Sequence, residues 1–111
     1  MMFCKGYQTL LDTKGVSLDS LGINEIGLTR GDALDAIRLL QKESIPVLGG
    51  DVYFHQESKI QPAYANWYSE PVPGEAQAEY MARSWTRALE YIRDFPNHPT
   101  ADPIFAIVVG R

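Results

Sequence analysis

Asp51, His55 and Glu57 have the most suggestive ionisable spacing in this chain, because residues i, i+4 and i+6 of a predicted strand project to one face. Two carboxylates and an imidazole could ligate a divalent cation or exchange protons with a substrate. The spread tells against a single ion, since four strand residues cover about 13 Å unless a bulge shortens them. Cys4, with His55 and His98, could in principle build a thiol site. Yet Cys4 falls in a terminal segment and His98 in a Pro-rich loop, with no spacing that joins them. Gly49-Gly50 is too short a pattern for a phosphate cradle, and there is no G-x-S-x-G, P-loop or dinucleotide glycine pattern. No catalytic residue, metal or cofactor is therefore expected. An enzyme reading rests only on the sheet face around Asp51 and His55.

A second group of side chains suits binding rather than catalysis. Tyr53, Tyr64 and Tyr68 are candidate aromatic anchors, with Asn66 beside them and Asp51, Glu57 and Glu70 as charged companions. No Lys or Arg occurs from Ile60 to Ala82 or from Gly15 to Thr29. Such acidic stretches repel phosphate backbones and attract basic partners, so direct nucleic-acid binding is not expected.

The elements that must position these residues follow from periodicity. A strand over Val47–His55 sorts Leu48, Gly50, Val52 and Phe54 onto a predicted core face and Val47, Gly49, Asp51, Tyr53 and His55 onto the other. Glycines inside a strand point to a bulge or a close backbone approach. After a loop around Glu57–Gln61, residues 64–69 form a returning edge strand bracketed by Pro62 and Pro71, with Trp67 facing away from Tyr68. Thr29 and Asp32 open a helix expected to run from Arg30 to Glu43, so Arg30-Gly31-Asp32 cannot present as an exposed adhesion loop. The strongest helical stripe is Ala78, Met81, Ala82, Trp85, Ala88, Leu89 and Ile92, within a helix from Glu75 to Asp94. A last strand, Ile104–Val109, has no alternation and must be covered on both faces.

The expected fold is α+β: a small three-stranded, mostly antiparallel sheet packed by two main helices, with an irregular N-terminal segment after a short helix near residues 3–14. Strand 47–55 is expected at the centre, with the last strand parallel to strand 64–69. The bare face of such a sheet needs the segment through Leu28, a second copy or a partner to cover it. With 111 residues, one domain spanning 1–111 is expected. Ten basic against fourteen acidic side chains leave a net charge of −4. A single cysteine and no apolar leader point to a cytoplasmic setting, and no run is long enough to span a membrane.

The ordered series INEIGLTRGDALDAI (23–37), IPVLGGDVYF (45–54), YANWYSEP (64–71), YMARSWTRALEYI (80–92) and IFAIVV (104–109) resembles the bacterial immunity protein 40 family, small proteins that neutralise toxin domains delivered between competing bacteria. GGDVYF followed by NWY and the S-W-x-x-A-L-x-Y-I helix carries most of the likeness. The resemblance implies a non-enzymatic role in which a preformed surface occludes a cognate toxin's active or substrate-binding site. The acidic field favours a basic toxin, with nucleases a fitting class, met by a chain that is a monomer or weak homodimer when free. An enzyme, or a homodimeric structural domain, is the competing reading.

Overall fold

A computed structural model describes residues 5–110, so the thiol considered at Cys4 lies outside the described residues. Helix α1 spans Lys5–Lys14 and leads into strand β1, Val16–Ser17, a 3-10 turn at Asp19–Leu21, and strand β2, Ile26–Thr29. Helix α2, Arg30–Lys42, follows without a break. Strands β3, Val47–Gln56, and β4, Lys59–Tyr68, form a hairpin, and helix α3, Gln77–Asp94, leads to strand β5, Asp102–Val109.

The three-stranded expectation is overturned. The sheet has five strands in the order β1-β2-β5-β3-β4, every neighbouring pair is antiparallel, and the described residues hold three α-helices. Strand β3 does lie between β4 and β5, which makes those two mutually parallel. What the periodicity concealed is that the N-terminal segment completes the sheet. The far edge of β5 leaves backbone donors and acceptors open, and Leu28 and Thr29 pair with Phe105 and Ile104 to close them. Gly27 looks like loop punctuation in the sequence. In the fold it lets β2 approach, because a Cβ there would stand 2.8 Å from Ile104 Cδ1.

Helices α2 and α3 cover one face of the sheet. Ala33, Ala36, Ile37 and Leu40 of α2 and Ala88 and Ile92 of α3 pack with Val47, Val52, Trp67 and Phe105. Helix α2 ends in a Schellman arrangement: Ile45 N–H donates to the Leu40 carbonyl at 2.9 Å, with Ser44 at φ 56° in the left-handed position. On the other face the loop after β1 folds back, and Leu18, Leu21 and Ile23 cover Tyr53, Ile104 and Ala106. This explains why β5 shows no alternation: both faces of its first half are buried. Helix α1 packs on the outside of α2 and buries no residue fully.

One irregularity decides what the start of β3 presents. The register between β3 and β5 shifts between Val47 and Gly49, so Leu48 is an extra residue. Val47 turns into the helix-side core while Leu48 turns out, the reverse of strict alternation. The bulge leaves the Val47 N–H to the Ser84 hydroxyl of α3, which accepts it at 3.1 Å. The buried line of α3 is accordingly Tyr80, Ser84, Ala88 and Ile92, and Ala78 and Ala82 of the predicted stripe face solvent. Polar Tyr80 and Ser84 tolerate burial because each hydroxyl donates to a carbonyl at 2.8 Å, Tyr80 to Ser69 and Ser84 to Met81.

Candidate functional site: the open end of the sheet

The N-terminal segment shields only part of its face of the sheet. Beyond it, β4, β3 and β5 expose a shallow depression of about 360 Å³ lined by Leu48, Gly49, Gly50, Asp51, Asn66, Trp67, Tyr68 and Val108. Cross-strand pairing builds this place: Asp51 sits between Asn66 and Ala106, and Gly49 between Tyr68 and Val108. The floor is low because Gly49 has no side chain. A Cβ there would collide with the Trp67 carbonyl and stand 2.8 Å from the Tyr68 Cα. Around the floor rise Tyr68, 70 % exposed, Leu48, 40 % exposed, and Val108, with Asp51 as the acid.

Of the residues singled out from the sequence, Asp51, Asn66 and Tyr68 come together here. Tyr64 is 93 % exposed on the neighbouring edge. It occupies a bulge of β4, where Val52 pairs with Ala65 but Tyr53 pairs with Pro62, and its φ is 57°. A bulky residue held in that region costs about 1–3 kcal/mol, and such strain gathers at functional positions. Glu70 is exposed just past the end of β4, where its carbonyl accepts an Arg83 bond at 2.6 Å. Glu57 is not part of the group. It sits at the hairpin turn with φ 55°, just past the end of β3 and six residues from Asp51.

Tyr53 departs from its expected role as an exposed anchor, being only 7 % exposed. Burial pushes its phenol up, and the charges of Asp51 and Glu25 push it further. Glu25 is the residue that sequence reasoning missed, although the base-free stretch from Gly15 to Thr29 was its signal. Burial raises its carboxyl above 4.5, and the like charge of Asp51 adds to the rise. Trp67 belongs to the core at 3 % exposure and stacks on Tyr91 at a centroid distance of 4.8 Å. Its Nε1 is buried with no hydrogen-bond partner among the described residues. Leu48 and Val108, both placed by the bulge, also had no distinguishing signal.

The metal or acid–base set does not assemble. Asp51 is flanked by Asn66 and Ala106, His55 by Ile60 and Asp102, and Glu57 lies in the turn. Among the described residues there is no group of three or more His, Cys, Asp or Glu side chains placed to hold a metal ion. The Arg30-Gly31-Asp32 tripeptide is also engaged. Arg30 Nη1 donates to the Ile92 carbonyl at 2.6 Å and Nη2 to Asn97 Oδ1 at 2.8 Å, placing a cation at the C-terminal end of α3.

The depression is thus a shallow, partly apolar surface with one carboxylate, Asp51. The sequence model described as immunity protein 40 matches residues 17–109. The chain belongs to the immunity protein 40 family. No curated protein and no solved structure matches it. Membership carries a toxin-neutralising immunity role, with a cognate toxin as the partner, and the family is not catalytic. The matched region takes in Ser17 of β1, β2 through β5 and the depression, while α1 lies outside it.

Proposed function

We propose that this immunity protein binds its toxin through the open end of the sheet, with the depression at Gly49 as the centre of the interface, and so occludes the toxin's active or substrate-binding site. The observation that carries this reading is the grouping of Tyr68, Leu48 and Val108 around a glycine floor, with Asp51 and Asn66 at its side and Tyr64 projecting from the adjacent edge. Exposed aromatics around a concave, rigid floor are the setting in which a few residues supply most of an interface's affinity. The chain carries a net charge of −4, and the stretch from Ile60 to Ala82 that supplies one wall has no Lys or Arg. A toxin with a basic working surface fits, and nucleases have one. In this reading the encounter takes place in the cytoplasm of the cell that the protein protects.

The test is co-expression with the polypeptide encoded immediately upstream, once that polypeptide has been found toxic when expressed alone. A stoichiometric complex should co-purify and growth should recover. Tyr68→Ala should weaken the complex by at least about 2 kcal/mol, roughly thirtyfold in Kd, without lowering the thermal midpoint. Association should slow as salt is added. The docking proposal fails if Tyr68→Ala and Val108→Asp both leave affinity and rescue intact, or if this face instead pairs two copies of the chain in solution.

A further inference from the structure

Two carboxylates near the depression lack a counter-ion. Glu25 is tied to the strand face that carries Asp51 and Tyr53, because Leu18 packs with Tyr53 and donates its N–H to the Glu25 carbonyl, and neither carboxylate has an ion pair or side-chain hydrogen bond among the described residues. The chain offers them nothing: there is no Lys or Arg in β2, β3 or β5, nor anywhere from Gly15 to Thr29. The arrangement is held rigidly all the same. The Glu25 carbonyl accepts the Leu18 N–H at 3.1 Å, which pins its loop to the sheet, and Asp51 sits in the middle of a strand paired on both sides. A third polar group meets them. Tyr53 is more than nine-tenths buried, interacts with both charges, and its hydroxyl has no hydrogen-bond partner among the described residues. That oxygen is not among the fully buried unpaired atoms, and Tyr53 follows Asp51 by two residues on the same face of β3.

We infer that Glu25, Asp51 and the Tyr53 hydroxyl form a notch beside the depression that receives one Lys or Arg side chain of the toxin. This rests on the docking reading above and specifies its chemistry. Partly burying like charges with no partner is unfavourable for the free protein, and an incoming cation relieves it. Two carboxylates and a phenol oxygen provide acceptors for a guanidinium or an ammonium group. Among the described residues no group of three or more His, Cys, Asp or Glu side chains that could hold a metal ion includes them.

Affinity for the cognate toxin should fall at least tenfold for Glu25→Gln and for Asp51→Asn. The double variant should lose less than the product of the two, because both contact the same cation. Glu43→Gln, on an exposed acid at the end of α2, should change affinity less than twofold. Free Glu25→Gln should melt no lower than the parent, which separates a binding role from a structural one. In a second arm without toxin, methylguanidinium added to the 15N-labelled chain should shift the amides of Glu25, Asp51 and Tyr53, and should not do so in the double variant. Tight toxin binding that ignores both substitutions overturns the notch while leaving the docking face standing. Methylguanidinium shifts at the notch without toxin binding would leave the notch and remove the docking reading. Absence of shifts at those amides overturns the notch.

Discussion

At the scale of single residues, two glycines on adjacent elements should respond oppositely to the same substitution. Gly49→Ala places a methyl group against the Trp67 carbonyl and within 2.8 Å of the Tyr68 Cα, and backbone atoms of a paired strand cannot move aside. A loss of about 1–3 kcal/mol is expected. At Gly31, in the first turn of α2, a new Cβ meets nothing within 4 Å and the backbone needs no positive φ. Gly31→Ala should therefore stabilise by about 0.5 kcal/mol, through a less flexible unfolded chain. Urea denaturation of the two variants checks both signs. The close approach at Gly49 could be anticipated, since a glycine pair interrupting a strand needs a reason. Its partner could not, because nothing local to residues 47–55 says that Trp67 and Tyr68 lie alongside.

Among the elements, the contact of α3 with β3 turns on Ser84. Its hydroxyl, fully buried, accepts the Val47 N–H that the β3 bulge removes from the ladder, and donates to the Met81 carbonyl. Ser84→Ala leaves a buried donor without a partner and should cost about 1–3 kcal/mol, read as a lower urea midpoint with an unchanged slope. Ser84→Gly should be no better, since the lost group is the hydroxyl. Helix α3 was evident from its apolar spacing, yet the face it buries is rotated toward Tyr80 and Ser84. Apolar periodicity cannot register polar residues whose partners are backbone groups of other elements. The same limit hid the strand role of Ile26–Thr29, a segment too short and too glycine-rich to show a period.

For the whole molecule, acid should act in two opposed steps. Glu25 has a carboxyl raised above 4.5 by burial and then by Asp51, so it disfavours the folded state while ionised. As pH falls through its raised value toward 4.5, the folded chain takes up a proton before the unfolded chain does, and stability rises. Glu75 is the opposite case. The Arg83 guanidinium, hydrogen-bonded to it at 2.9 Å, holds its carboxyl down to about 2 from 4.5. That contribution is fully present above 4.5 and is lost as pH falls from there toward 2. Urea midpoints measured from neutral pH to about 3 should pass through a maximum on the acid side. Glu25→Gln should flatten the rise, and Glu75→Gln the fall. Helical spacing makes Glu79 an i,i+4 neighbour of Arg83, but Glu79 Oε1 instead accepts the Ala76 N–H at 2.9 Å, and Arg83 pairs with Glu75.

What the sequence determined alone is what its short-range patterns encode: two helices, expected over 30–43 and 75–94 and found over 30–42 and 77–94, the pairing of strand 47–56 with an edge strand after it, the need to cover both faces of the last strand, and the family. It also named Asp51, Asn66 and Tyr68 as candidates for a partner surface, the last two inside the base-free stretch from Ile60 to Ala82. The tertiary structure decided which of these are surface. A one-residue bulge reversed Val47 and Leu48, and a loop from residues 18–25 buried Tyr53 and tied Glu25 to that face of the sheet. Both outcomes depend on backbone pairing between segments far apart in the chain, and on the free edge of β5 recruiting a strand from the N-terminal segment. Contacts of that kind leave no periodicity in either partner, so they exist only once the chain has folded.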